Sequence, residues 1–215
     1  MDGFSSSPHG PAGAAAAPPP NHHAGHAGFS GALAYLYAAM FALGGAPAAR
    51  LAVRLSEVGP GDHVVDVGCG PGTAVRAALK AGATAVGVDP SSEFLRVAGW
   101  LTRRPGATWS EGTAESLPVP DGSATVVWSL ACVHHWQDLD RGLAEVHRAL
   151  RPAGRFVAIE RPVEAGADGL ASHGWTRAQA ERFASMCEEA GFSDARVELA
   201  NADKEQRLAV VVRRR

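Results

Sequence analysis

The segment Val64-Val65-Asp66-Val67-Gly68-Cys69-Gly70-Pro71-Gly72-Thr73 constrains this chain more than any other. A β-branched apolar run ends at an acid, glycines follow at alternate positions, and an alanine-rich helical pattern begins at once. That order folds as strand, glycine turn and helix, the opening of a βαβ unit whose bare backbone lets a ligand approach closely. A dinucleotide fingerprint would have its third glycine where Thr73 stands, and here the glycine is Gly72 instead. No Gly-Lys-Ser/Thr follows, so the phosphate-loop pattern fails too. The segment suits a nucleoside ligand without a pyrophosphate.

The remainder alternates. Spacing predicts strands over 63–67, 84–88, 107–111, 124–130, 155–160, 194–200 and 207–213, with helices over 72–81, 92–103, 139–150 and 176–190. Short loops between them imply a mainly parallel sheet with helices on both faces. The last two strands have only Asn201 to Gln206 between them, so they should pair as an antiparallel hairpin.

Two segments precede this domain of residues 59–215. Residues 1–28 are mostly Gly, Pro, Ala, Ser and His, a composition with little to bury, and read as a disordered tail. Its histidines His9, His22, His23 and His26 have no ordered scaffold to fix a metal geometry. Residues 29–58 read as a helical cap. Gly31 to Leu43 is apolar on most sides, and Pro47 opens a second helix running to about Val58, with Leu51 and Leu55 on one face. A helix that apolar must cover the domain, close over the ligand cleft, or pair with a second copy in a homodimer through residues 29–58.

Composition bounds the function classes. With 215 residues, 46% of them hydrophobic, the chain can build one α/β domain plus an extension. Net charge is −2 and the basic residues form no long cluster before Arg213-Arg214-Arg215, which argues against nucleic acid as a partner. Cys69, Cys132 and Cys187 are far apart and odd in number, which suits a reducing, cytoplasmic setting. No basic leader precedes an apolar core, so no signal peptide is expected. The apolar run from Ala32 to Leu43 is shorter than the ~20 residues a spanning helix needs, so no membrane span is expected either.

Asp66-Val67-Gly68-Cys69-Gly70-Pro71-Gly72 resembles the first motif of class I S-adenosylmethionine-dependent methyltransferases. Further segments follow in the family's order. Val86-Gly87-Val88-Asp89 is similar to its second strand, and Gly112-Thr113-Ala114-Glu115-Ser116-Leu117-Pro118 with Pro120-Asp121-Gly122-Ser123 to its third segment. Val126-Val127-Trp128-Ser129-Leu130 with His134-His135-Trp136 resembles the fourth, and Leu150-Arg151-Pro152-Ala153-Gly154-Arg155-Phe156 the turn before strand five. The nearest variety is the type 11 group, which includes ubiquinone and menaquinone methyltransferases. The resemblance implies a Rossmann-like, doubly wound α/β sheet of seven strands in the order 3-2-1-4-5-7-6, strand seven antiparallel. It also implies S-adenosyl-L-methionine as cofactor and methyl transfer to a small-molecule substrate at an O- or C-nucleophile.

In an open doubly wound sheet, ligands bind beyond the carboxyl ends of the strands. The resemblance therefore implies cofactor contacts from Asp66, Gly68, Cys69, Gly70, Asp89, Pro90, Thr113, Ala114, Glu115 and Leu130. Asp66 suits the methionine ammonium. Asp89 suits both ribose hydroxyls, Ser91 or Ser92 being at hand to cap the next helix instead. The family often has an aspartate where Thr113 stands, which leaves adenine contact to the backbone at Ala114. Glu115 could equally orient its loop. Relatives also carry an aromatic residue and an aspartate where Ala124-Thr125 stands.

His134 and His135 are the catalytic candidates. Either imidazole could take a proton from the acceptor. Adjacent side chains diverge, so one at most should meet the substrate, and Trp136 packs or lines an apolar wall. Glu160, at the end of the fifth strand, is a further cleft candidate, with pairing to Arg161 or Arg155 as the alternative. No metal-ligand spacing is evident, so no metal is expected. Acceptor choice should fall to residues 29–58, 131–138 and 161–175. Two other readings stay open: a protein or nucleic-acid methyltransferase, which would lack its usual Asn/Asp-Pro-Pro-Tyr-like motif here, and a non-catalytic S-adenosylmethionine-binding protein.

Overall fold

The computed structural model describes residues 45–167 and 169–215. The tail over 1–28 and the helix expected over 31–43 lie outside them. Five strands run parallel: β1 (His63–Val67), β2 (Thr84–Asp89), β3 (Ala107–Glu111), β4 (Ala124–Leu130) and β5 (Leu150–Glu160). β6 (Phe192–Ala202) and β7 (Glu205–Arg214) close one edge. The sheet has seven strands in the order β3-β2-β1-β4-β5-β7-β6, with β7 antiparallel to both neighbours, the topology the resemblance implied.

Helices α1 (Ala46–Ser56), α2 (Thr73–Lys80) and α3 (Ser92–Leu101) pack on one face, and α4 (Leu139–Ala149) and α5 (Arg177–Glu189) on the other. Covered on both sides, β1 and β4 bury nearly every residue, which is why both read as mainly apolar runs rather than alternating ones. Local chemistry sets the helix starts. Ser91 accepts from the Phe94 amide at 3.3 Å, Asp138 accepts from the Arg141 amide at 3.0 Å, and Thr176 and Gln179 form a reciprocal capping box.

α1, the second helix expected in the cap, covers the sheet, while the apolar first helix with its three possible placements lies outside the described residues. Ala49, Leu51 and Ala52 are buried, and Ser56 accepts from the Trp128 indole at 3.0 Å. Arg54 donates to the Asn201 carbonyl at 2.9 Å and Arg50 pairs with Asp203, so α1 is also tied to the β6–β7 turn.

Most boundaries fall within two residues of expectation, and two regions differ in kind. β5 begins at Leu150 rather than 155, because a register shift against β4 accommodates the turn at Ala153, whose φ is 62°. The expected loop from Asn201 to Gln206 is mostly ladder: Asn201 pairs with Gln206 and Ala202 with Glu205, leaving Asp203 and Lys204 as the turn. Backbone pairing at a solvated edge needs no apolar side chains, so composition there points to a loop where the strand continues. No helix among the described residues is long and apolar enough to cross a membrane.

Candidate functional site

The carboxyl ends of β1, β2 and β3 form the first half of the site. The amides of Gly68 and Cys69 both donate to the Val88 carbonyl, at 2.8 and 3.0 Å, which folds the turn back over β2. Asp89 joins two turns: one oxygen accepts from the Gly70 amide at 2.8 Å, the other from the Ser91 amide at 2.9 Å. Ser91 caps α3, so the cap role is filled without the Asp89 carboxylate.

The glycines of the turn differ in what they face. A Cβ on Gly68 would lie 2.0 Å from the Cys132 sulfur, and one on Gly72 would lie 2.3 Å from the Trp109 ring. Gly72 therefore serves packing between α2 and β3, not ligand approach. Gly70 has no described atom within 4 Å of its Cβ position, so the open side of the turn is there. Gly68→Ala should destabilise the fold by about 1–3 kcal/mol through overpacking. Chemical denaturation would measure it. Cys132→Gly in the same chain should recover part of the loss, and no recovery would mean the left-handed φ of 73° dominates.

Two buried carboxylates stand side by side here. Asp66 is 2% exposed, and its carboxyl is pushed up to about 7, by burial first and then by the charge of Asp89. Burial also raises the Asp89 carboxyl, against the two amides that favour its ionised form. Among the described residues, no lysine or arginine pairs with either. Such a pair is suited to a ligand that brings a cation and hydroxyl donors.

The other expected residues fall around this pair. Cys69 is buried, and its thiol donates to the Gly70 carbonyl at 3.6 Å. Pro90 is exposed beside Asp89. The Gly112 amide donates to the Asp89 carbonyl at 3.3 Å, which brings exposed Thr113 and buried Ala114 next to β2. Leu130 is half-buried at the end of β4. Glu115 points elsewhere: its carboxylate accepts from the Gln137 and Asp138 amides at 2.7 and 3.3 Å. It ties the loop after β3 to the start of α4, the loop-orienting alternative for this residue.

The second half lies beyond β4 and β5. His134 is buried, and its Nδ1 is 2.9 Å from Glu160 Oε2. Glu160 Oε1 accepts from the Val133 amide at 2.9 Å. A carboxylate already accepting on one oxygen makes Nδ1 the donor, which puts the imidazole lone pair on Nε2. Glu160 thus pairs with His134, not with Arg161 or Arg155. The His135 ring is half-buried, its centroid 4.0 Å from that of His134. Trp136 packs under the loop against Phe156 and Phe183.

Cys132 is the joint between the halves. Its sulfur seals Gly68, and its thiol is pushed up by burial and then by Asp89, Glu160 and Asp66. It is therefore held as the neutral thiol. His173 was not legible in the sequence. The 161–175 loop returns through paired backbone at Pro162 and Trp175, and Arg161 donates to the His173 and Ala171 carbonyls, both at 3.2 Å. That brings the His173 centroid to 5.5 Å from His134 and 6.2 Å from His135. A lone histidine in a glycine-containing loop carries no local signal of this convergence. No group of metal-ligating side chains forms among the described residues.

Comparison with known proteins bears on this geometry. The model of a family described as a methyltransferase domain matches residues 65–158. A ubiquinone/menaquinone biosynthesis C-methyltransferase from Rubrivivax gelatinosus is 32% identical over 111 residues, 52% of this chain and 44% of that protein. The chain spans about half the length of the curated relatives it matches. A chain from the Haloferax volcanii complex of the Trm112 methyltransferase activator superposes with a TM-score of 0.74 at 21% identity, over 85% of this chain and 96% of that one. An S-adenosylmethionine-dependent methyltransferase from Mesorhizobium loti superposes with a TM-score of 0.61 at 24% identity, over 78% and 96%.

Proposed function

We propose that residues 65–158 are a class I S-adenosylmethionine-dependent methyltransferase domain of the type 11 kind, a reading supported by the methyltransferase-domain family model that matches them, and that the chain methylates a small molecule at an oxygen or carbon nucleophile, with His134 as the general base. The observation that carries this reading is the buried His134–Glu160 pair, with His134 two residues beyond Cys132, whose sulfur lies against the Gly68 turn.

The residues present fit the cofactor. Asp66 is a buried carboxylate with no cationic partner among the described side chains, which suits the methionine ammonium. Asp89 has both oxygens at the turn, with lone pairs left to accept from ribose hydroxyls. The open side of Gly70 admits a ligand against bare backbone. Cys69, Pro90, Thr113, Ala114 and Leu130 complete the wall. When bound, S-adenosylmethionine supplies a methyl group activated by its sulfonium.

The chain's own task is then alignment and proton removal. His134 takes the acceptor's proton at Nε2. Glu160 holds Nδ1–H, fixes the tautomer and stabilises the imidazolium that forms. The rings of His135 and His173, centred 4.0 and 5.5 Å from that of His134, form the wall that orients the acceptor.

Asp66 gives this reading a pH signature. Unfolded, its carboxyl titrates near 3.8; folded, near 7. A raised carboxyl stabilises the free protein fully below about 3.8 and loses that contribution as pH rises through 7. A ligand ammonium favours the ionised form, so binding should release a proton. S-adenosylmethionine affinity should climb with pH by up to ~10-fold per unit below 7 and level off above it. Calorimetry across pH 5.5–8.5 on the wild type and Asp66→Asn tests this, and an equal slope in the variant would remove Asp66 from the ammonium site.

A further inference from the structure

The amino ends of the strands, opposite the methyl-transfer cleft, hold a second concavity. It has a volume of about 400 Å³ and is lined by Pro60, Gly61, Asp62, Thr125, Ala153 and the three arginines Arg151, Arg155 and Arg213. β1 alone separates the two ends by five residues, or roughly 16 Å at the usual strand rise.

The fold brings these arginines together against their mutual repulsion. Arg155 and Arg213 sit directly opposite each other across β5 and β7, a register in which like charges destabilise. The irregular turn through Ala153 then returns Arg151 to the same hollow. One carboxylate answers them from inside. Asp62 accepts from Arg155 at 2.6 Å, from the Thr125 hydroxyl at 2.6 Å and from the Gly59 amide at 3.0 Å. Burial alone would raise the Asp62 carboxyl, but these hydrogen bonds and the Arg155 charge hold it below its ordinary value. It is thus fully ionised and fully engaged. Arg151 and Arg213 make no ion pair among the described residues. Glu57 and Asp194 border a smaller hollow across Arg155 and Arg213, and neither pairs with them.

We propose that this cleft binds a phosphate-bearing small molecule, separately from the methyl-transfer site. Two guanidinium forks lining one hollow and making no ion pair among the described residues match the planar, multidentate demands of a phosphate, and Arg155, braced by Asp62, presents a third cation at a fixed position. S-adenosylmethionine carries no phosphate, so it does not compete for these groups.

Titration calorimetry of the full chain with inorganic pyrophosphate in 150 mM salt tests the proposal. One saturable site per chain is expected. Arg151→Ala and Arg213→Ala should each weaken it at least 5-fold, and the double variant at least 30-fold, with S-adenosylmethionine affinity unchanged in all three. Arg103→Ala/Arg104→Ala, which removes exposed arginines outside the cleft, should leave pyrophosphate binding within 2-fold. Ribose 5-phosphate in place of pyrophosphate distinguishes the source: tighter binding, lost in the Arg151/Arg213 double variant, marks a phosphorylated metabolite, and weaker binding marks free inorganic phosphate. Absence of saturation, or an equal loss in the Arg103/Arg104 control, overturns the proposal.

Discussion

His134→Ala should lower turnover by about 10²–10⁴-fold, the usual range for loss of a general base, while S-adenosylmethionine affinity stays within a few-fold. In the proposed reading His134 meets the acceptor's proton and not the cofactor, so binding and chemistry should separate. The imidazole is buried, and its removal leaves Glu160 with a charge facing a gap. Melting temperature must therefore be measured on the same preparation. Glu160→Gln supplies the arm that a folding defect cannot imitate. It keeps the size of the side chain and an acceptor for the Val133 amide. It removes the negative charge that stabilises the imidazolium and offers Nδ1 an amide in place of a carboxylate. Turnover should fall while melting temperature and S-adenosylmethionine affinity hold. His135→Ala should lose far less, because the Glu160 carboxylate is held at Nδ1 of His134. Near-normal turnover in His134→Ala would leave alignment alone as the catalytic device. A loss of cofactor affinity matching the loss of turnover would move His134 into the cofactor pocket.

Asp89→Ala should weaken S-adenosylmethionine binding by about 10–150-fold, the equivalent of losing ~1.5–3 kcal/mol of charge-assisted hydrogen bonding. Two effects add. The ribose hydroxyls lose their acceptor, and the Gly70 and Ser91 amides lose the carboxylate that holds the turn against the start of α3. Asp89→Asn separates them. An amide oxygen can still accept at the turn, so the fold should hold while the charge is gone, and affinity should fall by an intermediate amount. NAD is the control ligand: it should not bind measurably to either protein, since Thr73 stands where the dinucleotide glycine belongs. Unchanged S-adenosylmethionine affinity in Asp89→Ala would take that carboxylate out of the site.

Much of the frame was legible before any coordinates. Asp66, the glycine turn and Asp89 lie within single strand–turn–helix units, and their spacing alone puts both acids at strand ends. The glycines were legible as turn formers but not by what each one faces. Only the packed sheet sets Cys132 on Gly68 and Trp109 on Gly72, leaving Gly70 open. Glu115 sits in the same motif, yet its carboxylate serves the Gln137 and Asp138 amides, because α4 begins within its reach and its charge suits exposed helix-start donors.

What the sequence determined by itself was whatever rests on neighbours along the chain. The period of apolar residues set strand and helix, the glycines set the turn, and the alternation of elements set the class of sheet. Tertiary structure alone decided every pairing between distant strand ends. His134 and His135 are equivalent in sequence, and Glu160, 26 residues further on, distinguishes them because β4 and β5 end side by side. His173 reaches the same cluster only because Arg161 and the Pro162–Trp175 pairing fold its loop back. Arg151, Arg155 and Arg213 converge only because β7 runs antiparallel to β5 and the turn at Ala153 bends the chain. Local periodicity fixes where a side chain starts, but its partner, and hence its protonation and its chemistry, depends on which other strand end the sheet brings within hydrogen-bonding distance.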